Sequence, residues 1–218
     1  MPHARTPRDQ TEDRGRGPEA FAQALADHLA GVCQLSPEQT AVLFSHYLLF
    51  QRWNRVLNLS SIVDFDSVVL RHYCESLFLG AQLPNEPLSV VDIGSGAGFP
   101  GIPLAALRPD CRVCLVESHQ RKAVFLKEAT RGLSNVEVQA QRAEHVAGRF
   151  DWLVSRAVAW RDLGAFALRA VSQVALLTSG SESQALLAEG IVSWEPAMPM
   201  PWGRQTVLMI GRVPRETC

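Results

Sequence analysis

From Leu88 onward, short apolar runs rich in β-branched residues alternate with stretches whose apolar positions recur every three or four residues. The first pattern predicts strands near 88–93, 112–117, 135–139, 150–155 and 172–178. The second predicts helices near 100–107, 119–131 and 162–171, with a further one at Leu186–Glu189. A last strand is expected at Thr206-Val207-Leu208-Met209-Ile210, after the proline-interrupted stretch MPMPWGR. Strands alternating with helices imply a mostly parallel sheet covered on both faces, a Rossmann-like α/β fold. Residues 19–83 have a different texture. Ser36-Pro37-Glu38-Gln39 combines a capping hydroxyl, proline at the first helical position and glutamine at the third, which predicts a helix start. The helix carries Val42, Leu43, Tyr47, Leu48 and Phe50–Trp53 and is expected to end at Asn58. Asp64 or Asp66 caps the next, where Val69, Tyr73, Leu77 and Phe78 recur at helical spacing, and Pro84 and Pro87 then break the chain.

The start of the chain, MPHARTPRDQTEDRGRGPE, lacks the apolar stretch of a secretory signal and has too few apolar residues to order itself. Three segments follow from this: a disordered arm over 1–18, an N-terminal helical region over 19–83, and an α/β domain over 84–218. No apolar run approaches the ~20 residues of a membrane span, so no membrane role is expected. A net charge of −1 argues against wholesale binding to nucleic acid but leaves room for a local basic face. Of the 21 basic residues only Lys122 and Lys127 are lysine, leaving 19 arginines, whose planar forks suit phosphate contacts; GC-rich coding yields the same bias. The five cysteines form no metal framework. Cys111 and Cys114 have C-x-x-C spacing but lie in an apparent strand, where side chains three apart point to opposite faces. No metal is expected, and the thiols read as buried in a reducing cytoplasm.

The chemistry concentrates in VVDIGSGAGFPGIPL, residues 90–104. Two β-branched residues lead into Asp92; Gly94, Gly96 and Gly98 alternate with small residues, and Phe99 and Pro100 precede an apolar helix start. Such a strand–turn–helix lets backbone approach a ligand at the carboxyl edge of the sheet. A dinucleotide fingerprint counted from Gly94 would place its third glycine at position 99, which is Phe99. No Gly-Lys-Ser/Thr follows, so a phosphate-binding Walker loop is excluded. The register from Asp92 resembles instead the first motif of S-adenosylmethionine (SAM) methyltransferases. Glu117 ends the second strand, where a carboxylate can accept both ribose hydroxyls or, as a plain surface residue, pair with Arg121 or Lys122. After the third strand, Glu144 and a backbone N–H beside Ala143 could meet an adenine ring. The fourth strand delivers Arg156 to the same edge.

Taken together, RWNRVLNLSS (52–61), LRHYCES (70–76), DIGSGAGFPGIPL (92–104), LVESHQRKAVFL (115–126), QRAEH (141–145) and FDWLVSRAVAW (150–160) resemble the RsmG (GidB) family of small-subunit ribosomal RNA methyltransferases. The resemblance implies SAM as cofactor and N7 of a guanine in the 530 loop of 16S ribosomal RNA, free or in the small subunit, as target. It implies a cofactor site at Gly94, Phe99, Glu117, Ala143-Glu144 and Arg156, to which the loop pattern adds Asp92, Gly96 and Gly98. Arg52, Arg55, Arg71, His72, Arg121 and Lys122 are candidates for RNA contacts. Guanine N7 carries a lone pair and no proton, so a positioning mechanism without a general base is expected. One departure stands out. Family members carry an A-x-K-G segment after the fifth strand, whereas this chain reads Leu176-Leu177-Thr178-Ser179-Gly180, with no lysine. That departure keeps a second reading in view, a noncatalytic RNA-binding protein on the same fold. The third, an NAD-binding oxidoreductase, is disfavoured by Phe99 and by the lack of a recognisable hydride-transfer residue.

Overall fold

The computed structural model describes residues 17–214. The chain builds α1 (Pro18–Leu29), α2 (Pro37–Leu57), α3 (Phe65–Val68), a π-helical turn (Val69–Cys74) and α4 (Glu75–Gln82) before the sheet begins. Strand β1 (Ser89–Ile93) is followed by α5 (Gly101–Leu107), β2 (Arg112–Val116), α6 (Gln120–Ala129), β3 (Val136–Gln139) and a 3₁₀ turn, Ala143–His145. Then come β4 (Phe150–Arg156), α7 (Trp160–Ala170), β5 (Val171–Ser179), α8 (Gly180–Glu189), β6 (Ser193–Trp194), β7 (Met198–Met200) and β8 (Gly203–Arg212). The strand order is β3-β2-β1-β4-β5-β8-β6, with β7 also pairing β8. The pairs from β3 to β5 are parallel; β8 runs antiparallel to β5.

This is the expected Rossmann-like α/β architecture with a helical cap, and its local causes are visible. Ser36 and Gln39 form a reciprocal capping box, Asn58 ends α2 in the left-handed region, and Asp64 caps α3 by accepting from Ser67 N–H. Pro18, assigned to the arm by its composition, opens α1 instead, where proline's fixed φ suits the first turn. The rest of the arm lies outside the described residues. The helix expected at Leu186 starts at Gly180, capped by Ser179. The last strand is longer than its apolar centre, and Met198–Met200 adds a short strand that its prolines concealed. Proline is tolerated there because β7 lies at the sheet margin.

β1, β2, β4, β5 and β8 alternate between two cores. Val90, Val113, Leu115, Trp152, Val154, Ala175 and Leu177 pack toward α5, α6 and the cap helices. Val91, Ile93, Val116, Leu153, Val174 and Leu176 pack toward α7 and α8. Cys111 belongs to the first core and Cys114 to the second, on opposite sides as their spacing requires. Among the described residues, no helix is long and apolar enough to cross a membrane, and no group of three or more His, Cys, Asp or Glu is arranged to hold a metal.

Candidate functional site

The glycine loop leaves β1 and turns over the carboxyl edge of the sheet. Gly94, Gly96 and Gly98 have φ of +74°, +55° and +86°, a region that costs L-residues strain. At two of them space is also closed. A Cβ would sit 2.6 Å from Val158 Cγ2 at Gly94 and 2.4 Å from Ile102 Cδ1 at Gly98. At Gly96 the nearest atom would be Gly94 O at 3.7 Å, an ordinary contact, so of the three only this glycine leaves room beside it. The loop is tied down by backbone: Gly94 and Ser95 N–H both donate to Val116 O. Glu117 completes the anchoring. Its Oε2 accepts from Gly96 N–H at 2.9 Å and its Oε1 from His119 N–H at 2.7 Å. The carboxylate therefore bridges the loop and the start of α6 instead of pairing with Arg121 or Lys122.

Asp92 was expected among the ligand contacts and lies beneath the loop instead, fully buried. Its Oδ2 accepts from Gly101 N–H at 3.0 Å, holding the first turn of α5, while Oδ1 has no partner. Burial pushes this carboxyl up to about 7. Phe99 is also buried, its ring packed among His46, Phe50, His72 and Tyr73 of the cap. The aromatic face of Phe99 therefore locks the loop to the cap.

At the end of β4, Ser155 Oγ donates to Ile93 O at 2.8 Å, fastening β4 to the end of β1. Arg156 follows, donating from Nη1 to His72 Nδ1 at 2.7 Å, with Glu75 Oε2 3.7 Å from Nη2. Ala157 then adopts φ +59° and turns the chain away. Beyond the end of β3, at the far side of β2, the Ala143-Glu144 turn is fixed by a residue that sequence reading missed. Arg169 of α7 donates to the carbonyls of Ala143, Glu144 and Val146 and lies over the Phe166 ring. Nothing in its sequence surroundings separates it from an ordinary exposed helix arginine.

The cap supplies a second missed residue, His46. Its Nε2 donates to Ala97 O at 3.0 Å, because a carbonyl can only accept; its Nδ1 therefore accepts from Tyr73 Oη at 2.8 Å. Burial lowers its pKa to about 4, which agrees with a neutral ring. The RWN and NLS elements close on each other: Asn54 donates to Ser60 O and accepts from Ser60 N–H. Ser60 Oγ then meets His72 Nε2 at 2.9 Å.

The RNA candidates divide. His72 is buried and so is corrected from a surface contact to an internal one. Arg52 is bound to Glu128 at 2.6 Å, beside Trp53, which donates to the same carboxylate. Arg55 and Arg121 are exposed, and Arg71 and Lys122 are half-buried. Where the lysine is lacking, Thr178 donates to Glu182 and Ser179 caps α8.

Solved structures share this architecture. Magnesium protoporphyrin IX methyltransferase from Synechocystis, with bound SAH, aligns with a TM-score of 0.58 at 16% identity, over 81% of this chain and 100% of that one. A SAM dependent methyltransferase from Aquifex aeolicus aligns with a TM-score of 0.56 at 16% identity, over 69% and 95%. At such identities they establish the fold alone. Sequence relatives are nearer. The ribosomal RNA small subunit methyltransferase G of Nitrosospira multiformis is 42% identical over 142 residues, 62% of this chain and 64% of that protein. The protein of the same name from Nitrosomonas europaea is 40% identical over 141 residues, 61% and 64%. The chain thus spans just under two thirds of the length of these relatives. The family described as rRNA small subunit methyltransferase G matches residues 39–179, a stretch that contains the glycine loop, Glu117, the Ala143-Glu144 turn and Arg156. With well over half of its length matched, the chain belongs to the rRNA small subunit methyltransferase G (GidB) family.

Proposed function

We propose that the protein binds SAM and methylates N7 of a guanine in the 530 loop of 16S ribosomal RNA, in the cytoplasm. The observation that carries this reading is the convergence of three strand ends. The Gly96 opening, the Glu117 carboxylate and the Arg156 guanidinium close β1, β2 and β4 at one edge of the sheet. These residues fit the cofactor. The open space at Gly96 accepts a close approach, Glu117 retains lone pairs for ribose hydroxyls, and the Ala143-Glu144 turn suits adenine. Arg156 has N–H donors beyond the one given to His72, suited to the methionine carboxylate. When bound, SAM supplies an electrophilic methyl group on a sulfonium.

The chain's own groups fit a reaction that needs orientation and no proton transfer. Guanine N7 has an in-plane lone pair and no proton, so no base need be recruited. His46 and His72 are buried, neutral and committed to fixed hydrogen bonds, and Asp92 is sealed under the loop. None is disposed to relay protons. Holding two reactants in line can be worth ~7–11 kcal/mol, and the anchored loop provides that rigidity. Guanine gains positive charge during transfer, which favours a role for Arg156 at an anion and not at guanine O6. The target base must be unstacked, as in an irregular RNA loop, with exposed Arg55 and Arg121 available to phosphates.

Incubation with labelled SAM and either small subunits or naked 16S RNA lacking the modification tests the proposal. Nucleoside analysis is expected to find N7-methylguanosine in the 530 loop. Gly96→Asp, which fills the opening with a charge, is expected to abolish SAM binding in a folded protein. SAM binding without N7-methylguanosine on either substrate would transfer support to the noncatalytic reading, which the absent lysine favours.

A further inference from the structure

We infer that His72 is a positioning residue: the cap presents it to Arg156 as a fixed hydrogen-bond acceptor, so that the guanidinium is aimed at the anionic end of the cofactor. The inference rests on the cofactor reading above and deepens it. His72 is in contact with both halves of the site. Its ring stacks on Phe99, at the end of the glycine loop, with centroids 4.7 Å apart and planes 22° apart. Its Nδ1 lies 2.7 Å from Arg156 Nη1, at the end of β4.

The tautomer follows from the partners. A guanidinium carries only donors, so Nδ1 must be the acceptor and the ring proton must sit on Nε2. That proton points to Ser60 Oγ at 2.9 Å, and the same hydroxyl accepts from Ile62 N–H at 3.0 Å. The ring is thus fixed by two hydrogen bonds, by the Phe99 stack and by the Phe50 ring edge-on at 5.9 Å. Burial, and next the charge of Arg156, lower the His72 pKa to about 3. The acceptor therefore persists at every physiological pH. On the other side of the guanidinium, the Glu75 carboxylate lies 3.7 Å from Nη2, its Oε2 accepting no hydrogen bond; burial raises its pKa, and the charge of Arg156 opposes that rise. The arginine is oriented by one neutral acceptor and neutralised by one carboxylate, with the remaining donors of its fork left for an anion. A surface contact to RNA would need none of this.

Substitutions separate aiming from packing. His72→Asn keeps an acceptor two bonds from Cβ, where Nδ1 stands; His72→Gln moves its amide toward the Nε2 position; His72→Phe keeps the stack on Phe99 and loses the acceptor. Calorimetric titration with SAM is expected to show affinity within about threefold of wild type for Asn, and roughly tenfold weaker for Gln and Phe. In an Arg156→Ala background the three variants are expected to bind alike, because the residue acts through the arginine. Thermal melts confirm that each variant is folded. Histidine-selective ¹⁵N NMR of the wild type is expected to find the proton of His72 on Nε2, a readout independent of SAM. A proton on Nδ1, an Asn variant as weak as Phe, or an undiminished His72→Phe effect without Arg156 would overturn the positioning role while leaving the cofactor reading intact. Wild-type protein that does not bind SAM would overturn both.

Discussion

The two faces of the sheet are buried by different chemistry. Toward α7 and α8, Leu163, Phe166 and Ala167 meet Leu153, Val174 and Met209, and the buried polar groups are hydroxyls. Ser155 and Ser183 each bond a nearby carbonyl, Ile93 O and Gly180 O. Toward the cap, the same sheet buries His46, His72, Glu75 and Asp92. Each of these is directed to the glycine loop, to the helix that follows it, or to Arg156. Buried ionisable groups cost stability unless they are paired, and all four have displaced pKa values. One face therefore holds the fold together, and the other spends part of that stability on holding the site. Clustering of perturbed groups at one edge marks a functional region on physical grounds.

Breaking the dry face is expected to have the largest effect. Leu163 is fully buried on α7, and Leu163→Ala leaves a cavity worth about 2–5 kcal/mol of stability. Denaturant unfolding measures the loss. SAM affinity of the folded fraction is expected to stay within a few fold of wild type, since Leu163→Ala leaves in place the Glu117 anchor of the glycine loop and the Arg169 bonds that hold the Ala143-Glu144 turn; a large drop in affinity would erase the division between the faces.

Asp92 provides the matching test on the cap face. Its folded pKa of about 7 stands above the ordinary 3.8. The native state therefore holds the proton more tightly than the unfolded chain does. The associated stability is present below pH 4 and is lost as pH rises toward 7, at about 1.4 kcal/mol per unit and at most about 4 kcal/mol in all. His46 and His72 act in the opposite sense: their lowered pKa values remove stability as pH falls below 6.5. The wild-type curve is consequently a composite, and the difference between Asp92→Asn and wild type isolates the carboxyl. That difference is expected to move in the variant's favour between pH 5 and pH 8, by ~2–4 kcal/mol. A pH-independent difference would mean that Asp92 ionises without cost, and the cap face would lose its distinctive chemistry.

The parallel strands and the glycine loop were legible because β-branched runs and alternating glycines are local signals. The cap's contribution was not, for equally physical reasons. His46 follows Leu43 by three residues and precedes Phe50 by four, so the spacing assigns it to an apolar stripe; a polar residue on that stripe was the available signal. His72 sits beside Arg71 in the chain and takes on its exposed appearance, while the π-helical turn sets the pair's actual directions. Glu117 was located by its strand end, but no pattern announces that its carboxylate would also hold Gly96 and His119. Long-range partners such as Arg169 and the Ala143–Val146 carbonyls leave no trace in local periodicity.

The smallest expected effect sharpens the comparison at the missing lysine. By alternation Thr178 shares the α7/α8 side with Leu176, and its hydroxyl is bound to Glu182. Ser179 comes one residue later, on the side of the sheet that Leu177 shares with the cap, and pairs across the strands with Thr206. If the cap side carries the chemistry, a lysine at 179 stands near the site and a lysine at 178 does not. Ser179→Lys removes the α8 cap, at a cost of about 0.5–2 kcal/mol in stability. It is nevertheless expected to tighten binding to 16S RNA and to steepen the salt dependence by roughly 0.7 in log–log slope, one phosphate contact on a single strand. Thr178→Lys is expected to leave that slope unchanged, because its side chain starts on the dry face. Filter binding across a salt series distinguishes the two. A gain for Thr178→Lys with none for Ser179→Lys would put the RNA on the α8 side, and the cap face would then serve the cofactor alone.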